Sequence, residues 1–467
     1  MSSKQEVAAR VPLASVDRTW WRMDDPTNLM IINGVLALDR PLSVPELKEV
    51  FERRILPIRR FRQRLSFPVG GGRPSWEDDP AFDLDAHLAA EDLPGAGGDV
   101  ELADRVSRWM SEPLDPARPL WKFHLVGNYH GGTAIVGRLH HCIGDGMALL
   151  LVLLALTDTA ADAALSDDPH GHPFTNVFHD HQANFAEVRR LAEEVMPDGI
   201  RLMLQPADAL KTASPFLTGL AVVPTLAVLV GRSPDPKTVY KGKLGVAKRV
   251  AWSASVPVED VKTVGRALGC TVNDVLLTAM AGGLRRYLAA HGGVPGPLNF
   301  RAAMPVNLRP LERMADLGNQ FGLVFLSLPV GIEDPVERLA ELKRRSAKLK
   351  RSAEPVVVLG ILKAMGALPM WVHRLVVKIF AAKTTAVMTN VPGPRQRLYL
   401  AGREIRDVFF WVPQSGRVGL GISIFSYAGQ VRLGVGTDAG LVPDPQVLVD
   451  GFHDEFQALY RRVAGIP

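Results

Sequence analysis

The stretch His140-His141-Cys142-Ile143-Gly144-Asp145-Gly146 holds the residue types and spacing best suited to chemistry in this chain of 467 residues. Imidazole is the side chain that titrates nearest neutrality, so a histidine fixed in place can serve as a general base at physiological pH. On a strand, successive side chains point to opposite faces. His141 then shares a face with Ile135, Gly137 and Leu139, and His140 shares one with Val136 and Arg138. One ring is left to meet a substrate while the other packs or hydrogen-bonds elsewhere. Asp145-Gly146 reads as a tight turn, with glycine open to backbone angles closed to other residues. A buried histidine pair beside a solvated Asp-Gly turn is the plainer alternative, and the complete seven-residue pattern between a strand and a helix argues against it. No metal is expected: adjacent histidines diverge and no third ligand stands at suitable spacing. Cys142 falls on the face opposite His141, which argues against a thiol nucleophile.

The elements around this stretch follow from periodicity and turn chemistry. Met30 to Leu38 reads as a buried strand. Ser43 and Glu46 form a capping box for a helix reaching about Ile55, and the six arginines from Arg53 to Arg64 read as a solvated face after it. Ala103 to Met110 has helical spacing. Trp121 to Val126 and Thr133 to His140 make a β-hairpin around His130-Gly131-Gly132. After Gly146, MALLLVLLALTD is apolar on every side, as a buried helix requires. The second half repeats the mixture. Strands are expected from Lys248, across FRAAMPVNLR and FGLVFLSLPV, and at Gly419–Ser426 and Val431–Thr437. Helices are expected from Val258, from Asn273, from the Asp334-Pro335 cap, and over Gln446–Val463. The chain divides into an N-terminal unit (1–185), a helical linker (186–245) and a C-terminal unit (246–467). In the polar stretch from Thr159 to about Asn184 that ends the first unit, His170, His172, His179 and His181 read as a flexible linker and not a metal site.

Composition sets outer bounds. With 47% hydrophobic and 22% charged residues the chain is globular, and a net charge of +5 spread along it excludes a nucleic-acid footprint while fitting an anionic ligand or lipid surface. Two cysteines rule out a disulfide framework and make a reducing cytoplasm the expected location. The N-terminus, MSSKQEVAARVPLASVD, has no apolar signal core. The most apolar stretch, Phe216 to Gly231, is too short and too interrupted to span a membrane, so any membrane contact is peripheral.

In the order of the chain, PLASVD (12–17), Pro119-Leu120-Trp121, HHxxxDG (140–146), Asn273-Asp274 and Thr389-Asn390-Val391-Pro392-Gly393-Pro394 resemble the bacterial wax ester synthase/diacylglycerol acyltransferase family of CoA-dependent acyltransferases. One departure is Thr389, where serine is commoner in that family. The resemblance implies an α/β fold of two chloramphenicol acetyltransferase-like lobes with a tunnel between them and a crossover segment near 385–415. It also implies that His141 takes the proton of an acceptor hydroxyl attacking an acyl-CoA thioester. His140, Gly146 and a structural Asp145 held by an arginine complete the implied catalytic motif, with Arg301 and Arg309 as candidates for that arginine. Acyl-CoA enters as substrate, and no cofactor is expected.

Other segments carry two readings each. Thr271 and Asp274 cap a helix, and Asn273 in its first turn can also donate toward the tunnel, as the resemblance suggests. Asn390, Val391, Pro392 and Gly393 form either a proline-set loop alone or a crossover lining the substrate channel. Pro119, Leu120 and Trp121 are either core or the wall of an acyl pocket. Gly419, Gly421, Gly434 and Gly436 mark tight sheet packing or a slot for an alkyl chain. Lys343 to Arg351 is a solvated helix end or a contact for CoA phosphates or lipid headgroups. Pro355 to Lys383 is an interfacial amphipathic helix or an ordinary core helix. The leading function is transfer of a long-chain acyl group from acyl-CoA to a fatty alcohol or diacylglycerol, at a membrane or lipid-droplet surface. The alternatives are a natural-product acyltransferase of the polyketide- or peptide-linked kind, and a non-catalytic acyl-CoA or lipid-binding protein.

Overall fold

Strands and helices are interleaved along the described residues. The computed structural model describes residues 10–465 apart from 71, 164, 166–192, 196–226, 294–295, 310–316 and 415. His170, His172, His179 and His181, most of the expected 186–245 linker and most of the apolar stretch 216–231 lie outside the described residues.

β1 (Val11–Pro12) and α1 (Ser15–Met23) lead into β2 (Ile31–Leu38) and α2 (Val44–Val50). The Ser43–Glu46 capping box is present. Ser43 accepts from the Glu46 N–H and Glu46 accepts from the Ser43 N–H, which satisfies two backbone donors that a helix start leaves orphaned. Past α2 the chain winds a single π-type turn over Phe51–Ile55. There follow β3 (Gln63–Ser66), β4 (Ser75–Asp78), β5 (Leu88–Asp92), α3 (Asp99–Met110), the hairpin of β6 (Trp121–Tyr129) with β7 (Gly132–His140), and α4 (Gly146–Leu156). The later part runs through β8 (Lys248–Trp252), β9 (Val256–Pro257), α5 (Val258–Ala267), α6 (Val272–Ala290), β10 (Phe300–Asn307) and β11 (Phe321–Leu328). Three helices come next, α7 (Pro335–Lys350), α8 (Glu354–Ala367) and α9 (Met370–Ala382). The chain closes with β12 (Ala386–Pro392), β13 (Tyr399–Leu400), β14 (Arg403–Trp411), β15 (Leu420–Tyr427), β16 (Gln430–Asp438) and α10 (Pro445–Ala464).

Thirteen of these strands build two large mixed sheets, one per lobe, giving the two-lobed α/β architecture, while β1, β4 and β3 form a small third sheet. The N-terminal sheet has six strands in the order β13-β14-β2-β7-β6-β5, and the C-terminal sheet has seven, β11-β10-β12-β15-β16-β8 with β9 also on β16. Two of the six N-terminal strands therefore come from late in the chain. β14 pairs antiparallel with β2, with Trp411 opposite Asn33 and Phe410 opposite Gly34. Each lobe packs its own core. α4 lies in one with Phe51, Trp121 and Phe123, and α6 lies in the other with Phe300, Met388 and Phe452.

Several expectations change on contact with the fold. The Arg53–Arg64 run is a solvated face only in part: Arg59 and Arg62 are exposed, and the others are covered to differing degrees. Arg54 is buried and paired with Asp158, Arg60 lies over the ring of Trp76, and Arg59 and Arg64 pair with Asp78 and Glu77. Charge alone reads as surface, but Asp158, 104 residues along the chain, meets Arg54, and the Trp76 ring covers Arg60. Thr389 to Pro392 is strand, not loop: it runs parallel to Ser423–Ser426 of β15, with Gly393 just beyond. Pro392 is tolerated there because it ends the strand. Pro355–Lys383 is two helices, broken at Leu368-Pro369.

The strand glycines resolve to close packing at two positions. A Cβ on Gly434 would lie 2.3 Å from the Phe410 carbonyl oxygen, and one on Gly421 would lie 2.7 Å from that of Val412. The backbone at the end of β14 and just past it occupies the space where side chains would stand.

Candidate active site

His140 ends β7 and His141 follows it, where the chain turns toward α4. The His141 N–H donates to the Met30 carbonyl at 2.7 Å and the His140 N–H to that of Leu120 at 3.0 Å, so both neighbouring strands pin the turn. The two rings part as strand alternation requires. His140 is buried, its Nδ1 accepts from the Cys142 N–H at 3.1 Å, and its Nε2 lies 3.6 Å from Asp24 Oδ1. His141 instead lies flat on Trp20, with ring centroids 4.3 Å apart and planes 12° from parallel. Phe321 tilts against its other surroundings at 5.6 Å. Part of His141 stays exposed, but its Nδ1 is buried and has no hydrogen-bond partner among the described residues.

This apolar setting has an electrostatic consequence. Burial pushes the His141 pKa down to about 4, against a smaller upward pull from Asp145. The ring is therefore neutral at physiological pH, the form able to take a proton. Cys142 is fully buried and its thiol is pushed well above its ordinary value, again mainly by burial. Such a thiol stays protonated and is a poor nucleophile.

Asp145 does not face the imidazole as a dyad partner. Its Oδ1 accepts from the Ala148 N–H at 3.0 Å, capping the first turn of α4. Its Oδ2 accepts from Arg309 Nη2 at 2.7 Å and from the Gln320 N–H at 3.1 Å. Of the two candidate arginines it is Arg309, just past β10, that holds Asp145. Arg301 turns to Asp235 and the Ser233 carbonyl. Gly144 bridges to Gly318 and the Asp145 N–H donates to the Gly318 carbonyl, so the motif is stitched to the C-terminal lobe on both sides of the ion pair. Gly146 adopts no left-handed angle, contrary to the expected special turn. It is the exposed first residue of α4, with no atom within 4 Å of the place a Cβ would take.

The remaining candidate residues divide. Thr271 and Asp274 form the expected capping box, and Asp274 is buried in that duty. Asn273 accepts from Asn390 Nδ2 at 3.0 Å, which joins two separate sequence candidates, one at the start of α6 and one on β12. Trp121 is fully buried, donates from Nε1 to the Phe61 carbonyl at 2.9 Å and stacks on His87 at 4.3 Å. Pro119 and Leu120 are buried beside it, so this trio is core, and its link to the motif is the Leu120 carbonyl that anchors His140. Val391 is half-buried and packs at the edge of the N-terminal core.

Sequence reasoning missed Asn319. Its Nδ2 donates to the His141 carbonyl at 2.7 Å and to Asp17 Oδ1 at 2.8 Å. Asp17 lay inside the PLASVD stretch without a role assigned to it, and Trp20 carried no signal beyond being aromatic on a short helix.

A profile of the wax ester synthase/diacylglycerol acyltransferase catalytic domain matches residues 13–276, more than half the chain, and one of the C-terminal domain of the same family matches 317–460. The chain belongs to the wax ester synthase/diacylglycerol acyltransferase family. It is an acyltransferase. Among curated relatives of this acyltransferase, the Mycobacterium tuberculosis protein named "Probable diacyglycerol O-acyltransferase tgs1" is 29% identical over 86% of this chain and 84% of its own length. A second M. tuberculosis protein, also named as a diacylglycerol O-acyltransferase, is 30% identical over 90% of each chain. Among solved structures, the wax ester synthase/diacylglycerol acyltransferase of Marinobacter aquaeolei VT8 superposes with a TM-score of 0.68 at 20% identity, over 97% of this chain and all of that one (100%). The first condensation domain of the calcium-dependent antibiotic synthetase shares the fold with a TM-score of 0.60 at 17% identity, over 98% of this chain and 97% of that one.

Proposed function

We propose that this acyltransferase moves a long-chain acyl group from coenzyme A to the hydroxyl of a fatty alcohol or a diacylglycerol, giving wax ester, triacylglycerol or both, with His141 as general base. The observation that carries this reading is the His141 ring. It is neutral, half-buried, stacked flat on Trp20 with Phe321 tilted against it, and it stands where Asn319 from the later half of the chain meets the motif. The acceptor oxygen attacks the thioester carbonyl as its proton passes to the imidazole. The tetrahedral intermediate collapses, the C–S bond breaks, and the departing thiolate takes the proton back from the imidazolium. A thioester is already activated, so one oriented base in a dry site suffices. The buried, protonated Cys142 supports direct transfer without an acyl-enzyme.

His141→Ala, assayed by thiol release from palmitoyl-CoA with hexadecanol or a diacylglycerol as acceptor, is expected to lose at least about 100-fold in kcat. Retention of more than about a tenth of the rate would place the base elsewhere, since a general base contributes about 100-fold or more.

The lipid substrates call for a lipid surface, and α9 supplies the matching contact. Among the described residues no single helix is long and apolar enough to cross a membrane. On α9, however, Trp371 is 71% exposed and Leu375 49%, with Arg374 and Lys378 exposed beside them. Large apolar side chains inside a basic collar fit the surface of an anionic bilayer or lipid inclusion. A cytoplasmic location belongs to the same proposal and rests on the two thiols, both free.

A further inference from the structure

Behind the His141 turn lies a buried carboxylate that the acyl-transfer scheme leaves unused. Asp17 sits on α1 and is almost wholly buried. Its Oδ1 accepts twice from one residue, from the Asn319 N–H at 2.9 Å and from Asn319 Nδ2 at 2.8 Å. The same amide nitrogen donates to the His141 carbonyl at 2.7 Å, so Asn319 bridges a carboxylate and the backbone of the proposed base. The helix that carries Asp17 also carries Trp20, whose ring lies on the imidazole. α1 is anchored independently, where Thr19 donates to the Leu362 carbonyl at 2.8 Å and Arg22 to that of Leu368 at 2.7 Å, both from the α8 region. A Cβ on Gly366 would fall 1.9 Å from the Ser15 carbonyl oxygen, so the start of α1 rests directly on α8.

The geometry points to Asp17 as a positioning residue for acyl transfer: acting through Asn319, it fixes the backbone of His141 while Trp20 fixes the ring. This rests on His141 being the base. The groups facing Asp17 are Asn319 and Gly318 before β11, Arg60 from the turn before β3, and Asp145 and Cys142 from the His141 turn. Arg60 is the cation among them, and its Nε and Nη1 are buried without hydrogen-bond partners. An ionised Asp17 thus has a guanidinium field to answer and two N–H donors to accept from, and charge-assisted acceptors bind such donors more tightly than neutral ones. Burial raises the Asp17 pKa to about 6. Protonation there weakens the grip on Asn319, and a base displaced by about 1 Å loses on the order of 100-fold in rate.

The test compares full-length wild type with Asp17→Asn, Asn319→Ala and His141→Ala, measuring kcat and KM for both substrates from pH 4.5 to 8. The wild-type kcat should fall as pH drops through about 6. Asp17→Asn should lower kcat about tenfold or more, in line with the displacement cost, leave each KM within about twofold, and abolish the limb near pH 6. Asn319→Ala should do the same with Asp17 and Arg60 intact, and it decides the matter if Asp17→Asn does not fold. Full kcat in either variant, or a lowered kcat with the limb unmoved, overturns the role of Asp17. An active His141→Ala instead overturns the base assignment itself, so the two failures are told apart.

Discussion

Arg309 reaches 164 residues back along the chain to hold Asp145 at 2.7 Å, and the pair is buried where the two lobes join. The carboxylate at the heart of the motif therefore serves as mortar. It caps α4, receives the Gln320 N–H and neutralises a cation from the opposite lobe.

Breaking that pair from one side should be costly. Arg309→Met leaves a buried carboxylate without its cation, and such changes destabilise by about 3–5 kcal/mol. Denaturant unfolding should show this loss. The double variant Asp145→Asn/Arg309→Met should recover part of it, because no uncompensated charge remains. A single variant as stable as wild type would show that the pair contributes nothing.

Acidification should act on His141 and Asp17 with opposite signs. The pKa of His141 falls on folding from 6.5 to about 4, so in that window the unfolded chain binds more protons, and its contribution to stability is lost as pH drops from 6.5 toward 4. The pKa of Asp17 rises on folding from 3.8 to about 6, so its contribution is present at low pH and lost as pH rises through 6. Between pH 7 and pH 5, His141→Asn should lose less stability than wild type and Asp17→Asn should lose more. Urea midpoints at the two pH values check both signs.

Lipid contact through α9 predicts that Trp371→Ala and Leu375→Ala weaken sedimentation with phosphatidylglycerol vesicles about tenfold or more each, given about 1.5–3 kcal/mol for each large apolar side chain buried. Phosphatidylcholine vesicles should bind less, and salt should release the protein from the anionic ones. Equal binding by wild type and the double variant would exclude this helix.

Gly434→Ala should destabilise by about 1–3 kcal/mol, since the added methyl meets the Phe410 carbonyl oxygen and the crossing backbone must give way. A Tm equal to wild type would mean that the approach is looser than 2.3 Å implies.

What the sequence disclosed was chiefly local. The Ser43–Glu46 and Thr271–Asp274 boxes, the β6–β7 hairpin and the divergence of His140 from His141 all follow from spacing of a few residues, where backbone geometry leaves little choice. The linkage of the site was not legible in this way. Asn319 meets Asp17 across 302 residues, and nothing local marks an asparagine after glycine as a bridge. Arg301 and Arg309 are alike in sequence, and only the fold sends one to Asp235 and the other to Asp145. The run from Arg53 to Arg64 misled at Arg54 and Arg60 for the same reason, because charge says nothing about whether Asp158 or Trp76 will come to cover a guanidinium.

The pairing of β14 with β2 governs how the molecule comes into being. Residues 403–411 leave the ribosome long after β2, β6 and β7, so the first lobe must wait with one edge of its sheet unfilled until the last tenth or so of the chain is being made. An exposed edge of that kind invites pairing with other chains, and a truncation ending near 276 would make it permanent. The two regions matched by the family profiles thus share one sheet, and should be produced and engineered together.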